Sequence, residues 1–255
     1  MSDWELVGGV DRGRAGEPTL AEDRPRSVAR RASLWVACGL LVAFLVLTLL
    51  VHRGATQSLD AAVLQRLRPD GLWGPTQLRY TPWMSRLRPQ HVYIVLVVTT
   101  LLVSLWRHSW WPLAFSLALA GVSGAVTLLV KVALHRPDSG GWVTDTGGAY
   151  PSGHTVALVT CLGACLLVVW PRVRWWLWAP VVVATLLLAS GLLVSGAHWL
   201  TDVLGGLLLA LAAVTAASRS RLRRLAHPSL AHHSWSHLRR GSATAGARRI
   251  PRRRP

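Results

Sequence analysis

The tetrapeptide Pro151-Ser152-Gly153-His154 opens one apolar stretch of the chain, and His198 and Asp202 stand at the mouth of another. A serine and a glycine at a helix start leave backbone N–H groups unpaired and aimed outward, where the helix dipole favours an anion. Glycine lets a phosphate approach the backbone closely, and the serine hydroxyl adds a donor. A plain serine N-cap explains Ser152 alone, but not the histidine two residues on. Asp202 follows His198 by four residues, so on a helix its carboxylate can accept the imidazole N–H. That fixes the tautomer and leaves the other ring nitrogen free to attack or to take a proton. The alternative is a capped helix start with an incidental polar pair. Lys131, the sole lysine of the chain, ends a third apolar stretch. There a lysine either snorkels to the interface or meets an anion. Thr127 and His135 share its helical face.

These residues need elements to carry them, and the apolar stretches supply them. Six are found, at 32–51, 91–106, 110–134, 154–170, 175–196 and 199–217. About 20 apolar residues cross a bilayer core, and most of the six approach that length, the second and fourth being short. Six such segments in succession leave no polar faces for a soluble domain. The expected fold is therefore all-α, a polytopic membrane helical bundle with about six transmembrane helices. It divides into an Arg-rich segment at 1–31, a membrane domain at 32–217 and a tail at 218–255.

The formal net charge of +17 is concentrated at the ends. Arg12, Arg14, Arg24, Arg26, Arg30 and Arg31 precede the first span, and eleven arginines from Arg219 to Arg254 follow the last. An even number of spans puts both termini on one face, and positive flanks place that face in the cytoplasm. Arg107, Arg172 and Arg174 fall on the same face; the arginines of the long 52–90 loop fall opposite, where the rule weakens. Counting spans from the cytoplasm then brings Lys131, Ser152, His154, His198 and Asp202 to one depth at the outer face. The chain start has no apolar core of a cleavable signal peptide, so the first span is expected to act as an uncleaved anchor in the plasma (inner) membrane.

Cys38, Cys161 and Cys165 lie inside spans and read as small packing residues, not as staples or metal ligands. The tail from 218 lacks apolar periodicity and reads as disordered chain on an anionic leaflet, not as a nucleic-acid arm. Its His227, His232, His233 and His237 are irregularly spaced and are not expected to hold a metal. Tryptophans such as Trp106, Trp110, Trp170 and Trp175 flank the spans as an aromatic belt.

The pairing of Pro-Ser-Gly-His with a later His-x3-Asp resembles the type 2 phosphatidic acid phosphatase family, whose fold is shared with the vanadium haloperoxidases. The resemblance covers about residues 90–217. It implies metal-independent, cofactor-free phosphoryl transfer in which His198 attacks phosphorus and forms a phosphohistidine. Asp202 would hold the ring, and His154 would protonate the leaving oxygen. Lys131, Ser152 and Gly153 would steady the phosphate oxygens.

Two family positions differ. The first motif usually places an arginine seven residues after its lysine, where this chain has Asp138; Arg136, five residues on, points about 140° away on a helix. Because Pro137 favours an extended conformation at Arg136, a loop could aim that side chain back, and Arg136 is counted as a substitute phosphate ligand. The third motif usually has an arginine six residues before its histidine, where this chain has Leu192, with Gly191 in place of the usual serine. The resulting expectation is a hydrolase of a lipid phosphate or polyprenyl diphosphate at the outer face. The alternative is a catalytically silent relative that binds lipid phosphates or serves as a scaffold. A transporter has span count as its only support, because transporter sites usually sit at broken helices near the midplane.

Overall fold

A computed structural model describes residues 24–69, 74–143 and 147–227. The Arg-rich segment 1–23 and the tail 228–255, with His232, His233 and His237, lie outside the described residues. The described elements are α1 (Arg24–His52), α2 (Gln57–Leu67), α3 (Pro75–Arg86), α4 (Pro89–Trp106), α5 (Trp111–Leu134) and α6 (Gly153–Val169). A 3₁₀ turn, Trp175–Trp178, leads into α7 (Ala179–Val194), followed by α8 (Leu200–Ala217) and α9 (Arg221–Ala226). Among the described residues, five segments are long and apolar enough to span a membrane: Arg31–His52, Pro89–Trp106, Trp111–Leu134, Trp175–Val194 and Leu200–Ala217. With the shorter α6 these coincide with the six stretches read from the sequence, and the protein is a polytopic helical membrane protein.

The shortest of the six holds the centre. α6 is apolar on all sides, buried at nearly every position from Thr155 to Val168, and packed by α4, α5, α7 and α8. A helix enclosed by other helices needs no polar stripe. Its neighbours keep one side outward: Leu45 on α1, Leu102 on α4, Leu129 on α5 and Val183 on α7 are exposed, as lipid-facing positions are. α1 lies along α8, and α3 packs on α7.

Two features depart from the sequence reading. The loop after the first span contains α2 and α3. The start of the supposedly disordered tail forms α9, which docks against α5. Arginine side chains hold this end. Arg107 Nη1 donates to Ala226 O at 2.8 Å and Nη2 to Val169 O at 3.3 Å; Arg223 Nε donates to Leu167 O at 3.3 Å. The last carbonyls of α6 lack intrahelical donors and carry the negative end of its dipole, so guanidinium groups suit them. Burial, then the charges of Arg107 and Arg223, push His227 down to about 4, which keeps its ring neutral.

At the opposite end, α8 admits the start of α6 only because it carries two glycines. A Cβ on Gly205 would lie 2.6 Å from the Tyr150 ring, and one on Gly206 would lie 2.7 Å from Ser152 O. Tyr150 is fully buried there, stacked on Phe44 with its hydroxyl 2.9 Å from Thr48 Oγ1. Burial raises its phenol to about 12. Gly205→Ala is expected to destabilise the fold by about 1–3 kcal/mol through overpacking, seen as a lower melting temperature in detergent; an unchanged melting temperature would show that Tyr150 can yield.

Candidate active site

Three turns meet at the Tyr150 end of the bundle. The first ends α5. His135 caps the helix in the left-handed conformation, φ 46°, and its N–H bonds to Lys131 O at 3.0 Å. The chain therefore leaves the helix before Arg136, and the returning loop bonds to it through Gly148 N–H to Lys131 O at 3.1 Å and Ala149 N–H to Arg136 O at 2.6 Å. A Cβ on Gly148 would lie 2.3 Å from Arg136 N, so this close pairing needs glycine. Lys131 turns its ammonium into the same turn, donating to Gly148 O at 2.5 Å and to Ala149 O at 3.3 Å.

The second turn starts α6. Ser152 is its N-cap, with Oγ accepting the Thr155 N–H at 3.4 Å and the Thr155 hydroxyl at 3.2 Å. Gly153 and His154 occupy the first two helical positions, whose N–H groups have no intrahelical acceptor. The third turn starts α8. His198 precedes the helix, Trp199 is its N-cap, and the Asp202 carboxylate accepts Trp199 N–H at 2.9 Å. Ser152 N–H donates to Asp202 O at 2.9 Å, which ties the second and third turns together.

This linkage sets His154 and His198 edge to face, with ring centroids 5.9 Å apart. Both rings line a cavity of ≈ 630 Å³ together with Lys131, Gly153, Tyr93 and Trp142. A second pocket of ≈ 170 Å³ shares Tyr93, Lys131 and Gly153 and runs along Gly124, Leu128 and Val156 between α4, α5 and α6. The Lys131 ammonium, two imidazoles and a helix N-terminus thus face a space large enough for a phosphate ester.

Four of the seven residues singled out in the sequence, Lys131, Gly153, His154 and His198, line this cavity. Ser152 is wholly buried, its oxygen committed to the cap. Asp202 is wholly buried behind His198, with Oδ2 3.5 Å from His198 Nδ1, and that nitrogen has no hydrogen-bond partner. The pair is not set on a helix as expected, because His198 lies before the first helical residue. Arg136 differs most from expectation. Its guanidinium faces away from the cavity, with Nη1 2.6 Å from Asp202 Oδ1 and 2.8 Å from Thr201 Oγ1, and Nη2 2.6 Å from Asp60 Oδ2. Asp60 was missed in the sequence. The signal was an acid on the same face of α2 as Val63, Leu64 and Leu67, all of which pack beside His198. Leu192 is buried in the main apolar cluster with Leu188 and Val203.

Residues 36–226 match the PAP2 superfamily, and the chain belongs to it. The fold is similar to the crystal structure of the first transmembrane PAP2 type phosphatidylglycerolphosphate phosphatase from Bacillus subtilis. The TM-score is 0.61 at 19% sequence identity, with 71% of this chain and 93% of that chain covered. No curated protein matches the sequence.

Leu192→Arg would return the usual motif residue to a position now enclosed by apolar side chains. It is expected to lower stability by about 3 kcal/mol or more, as unpaired buried charge does, and not to raise phosphate release. Thermal melting beside an activity assay checks this; a stable and faster variant would show that the position opens into the cavity.

Proposed function

We propose that the protein hydrolyses a lipid phosphate or diphosphate through a phosphohistidine on His198, with the site at the outer face of the plasma membrane. The observation that carries this reading is the placement of His154 and His198, 5.9 Å apart, on one cavity that also holds Lys131. Superfamily membership supports phosphatase chemistry, and the Bacillus subtilis protein of similar fold is a phosphatidylglycerolphosphate phosphatase. The apolar pocket along Leu128 and Val156 gives a lipid tail a place beside the headgroup site.

In the first step a ring nitrogen of His198 attacks phosphorus, the bond from phosphorus to the leaving oxygen breaks, and protonated His154 gives that oxygen its proton. Neutral His154 then takes a proton from water as the water oxygen attacks phosphorus. The phosphorus–nitrogen bond breaks, and phosphate leaves with His198 restored. Lys131 and the N–H groups of Gly153 and His154 meet the charge on the equatorial oxygens. Asp202 supports the imidazolium as it forms, once Nδ1 and Oδ2 close from 3.5 Å to charge-assisted hydrogen-bond distance. Orientation follows from the arginine-flanked termini, which favour the cytoplasm and put the cavity on the other side.

The test is phosphate release in lipid–detergent micelles containing a chelator, with polyprenyl diphosphate, phosphatidic acid and phosphatidylglycerol phosphate as substrates. His198→Ala is expected to abolish release, and His154→Ala to lower it by about 10²–10⁴-fold, the usual contribution of a general acid. Equal release by parent and His198→Ala would exclude the mechanism. No release from any lipid would favour a silent, lipid-binding relative.

A further inference from the structure

α2 lies on the surface of the bundle, with most of its residues exposed, yet its Asp60 is only 1% exposed. An aspartate is almost never fully buried without partners, and here both oxygens are engaged. Oδ1 accepts Thr201 N–H at 3.0 Å, while Oδ2 accepts the Thr201 hydroxyl at 2.7 Å and Arg136 Nη2 at 2.6 Å. Arg136 passes the contact on to Asp202 Oδ1 at 2.6 Å, leaving Asp202 Oδ2 toward Trp199 N–H and His198. At the other end of α2, Arg68 Nη1 donates to Ser195 O at 3.1 Å. The turn that carries His198 is thus held at both ends, by Asp60 beyond it and by Arg68 before it.

We propose that Asp60 and Arg136 are positioning residues for the catalytic pair, so that Asp60, Arg136, Asp202 and His198 form one chain and α2 belongs to the catalytic apparatus. The inference rests on the phosphatase reading above, and goes beyond it in giving Arg136 a role other than gripping phosphate.

The charges explain why the chain needs every member. Asp60 and Asp202 are both buried, and Arg136 is the cation between them, itself 13% exposed. Without Arg136 two buried carboxylates would face each other; without Asp60 the whole guanidinium would fall to Asp202 and compete with the imidazolium for it. Arg136 also lies over the Trp199 ring, 5.5 Å from its centroid, and Trp199 Nε1 donates to Pro137 O at 3.0 Å. The shortened spacing between Lys131 and Arg136 therefore places the arginine where it can hold the acid behind His198. Lys131 lines the cavity instead.

The test compares Asp60→Asn, Arg136→Met and the double variant with the parent, and uses Gln65→Ala on the exposed side of α2 as a control. For each, kcat, KM and inhibition by inorganic phosphate are measured. The rate of His198 carbethoxylation by diethyl pyrocarbonate is read by peptide mass spectrometry, with exposed His91 as reference. Asp60→Asn and Arg136→Met are expected to lower kcat by about 10–100-fold, as loss of an outer partner does for ligating histidines. KM and the phosphate inhibition constant should stay within about threefold, and His198 should react severalfold more slowly. The double variant keeps the net charge of the parent cluster and should lose no more than Arg136→Met alone, since both changes act through one network. It also covers the case in which Asp60→Asn fails to fold. Arg136→Met with kcat kept and phosphate inhibition weakened tenfold would make Arg136 a substrate ligand and overturn the proposal. So would parent-like turnover and carbethoxylation in Asp60→Asn, or losses that multiply in the double variant. A parent without phosphatase activity, whose His198 reactivity still falls in Asp60→Asn, would refute the phosphatase reading and support the positioning chain.

Discussion

The hydrogen bond from Ser152 N–H to Asp202 O is the constraint on which the site depends. The two histidines belong to different helices, and nothing local to either sets the distance between them. Their separation is fixed because the first turns of α6 and α8 touch, backbone to backbone. That contact is possible only where α8 has no side chain, at Gly205 and Gly206. Tyr150 fills the wedge beside it and carries the contact to α1 through Phe44 and Thr48. The remote first span is thereby coupled to the geometry of the site.

The second organising element is the cluster of opposite charges beneath the α8 start. A buried ion pair gives little net stability, because desolvation offsets most of the attraction. What it gives here is direction. Asp202 serves as a helix cap, an acceptor for Arg136 and a neighbour of His198 at once, with one oxygen held away from the ring and the other toward it. The cavity lies on the other side of His198, where it is lined by Lys131, Gly153 and His154. The bundle thus separates residues that could touch substrate from residues that hold them.

Much of this was legible in the sequence. The six apolar stretches stand out because lipid-facing helices need few polar residues, and Pro-Ser-Gly-His with His-x3-Asp marks the two helix starts by residue type and spacing. Counting spans placed these at one end of the bundle, where the structure has them. Asp60 was less visible, because its partners Arg136 and Thr201 are distant in sequence and no periodicity links them. Its burial shows only as an acid on the apolar side of a short helix, in a loop that was not read as helical. Pro137 marked Arg136 as leaving the helix, and α5 does end at Leu134 with His135 as a left-handed cap, but the buried acids to which the side chain turns, Asp60 and Asp202, are distant in sequence and left no local sign. Leu192 was seen as a missing charge. The structure shows the physical counterpart: a side chain committed to the core.

In the proposed reaction His198 takes the phosphoryl group. The most direct measurement is rapid acid-free quenching of the protein with a lipid phosphate labelled on phosphorus, followed by mass-spectrometric location of the modified residue. An acid-labile phosphoryl group is expected on His198, formed within one turnover and absent from His198→Ala. A phosphoryl group on His154, or turnover with no protein-bound phosphate at any time, would contradict it.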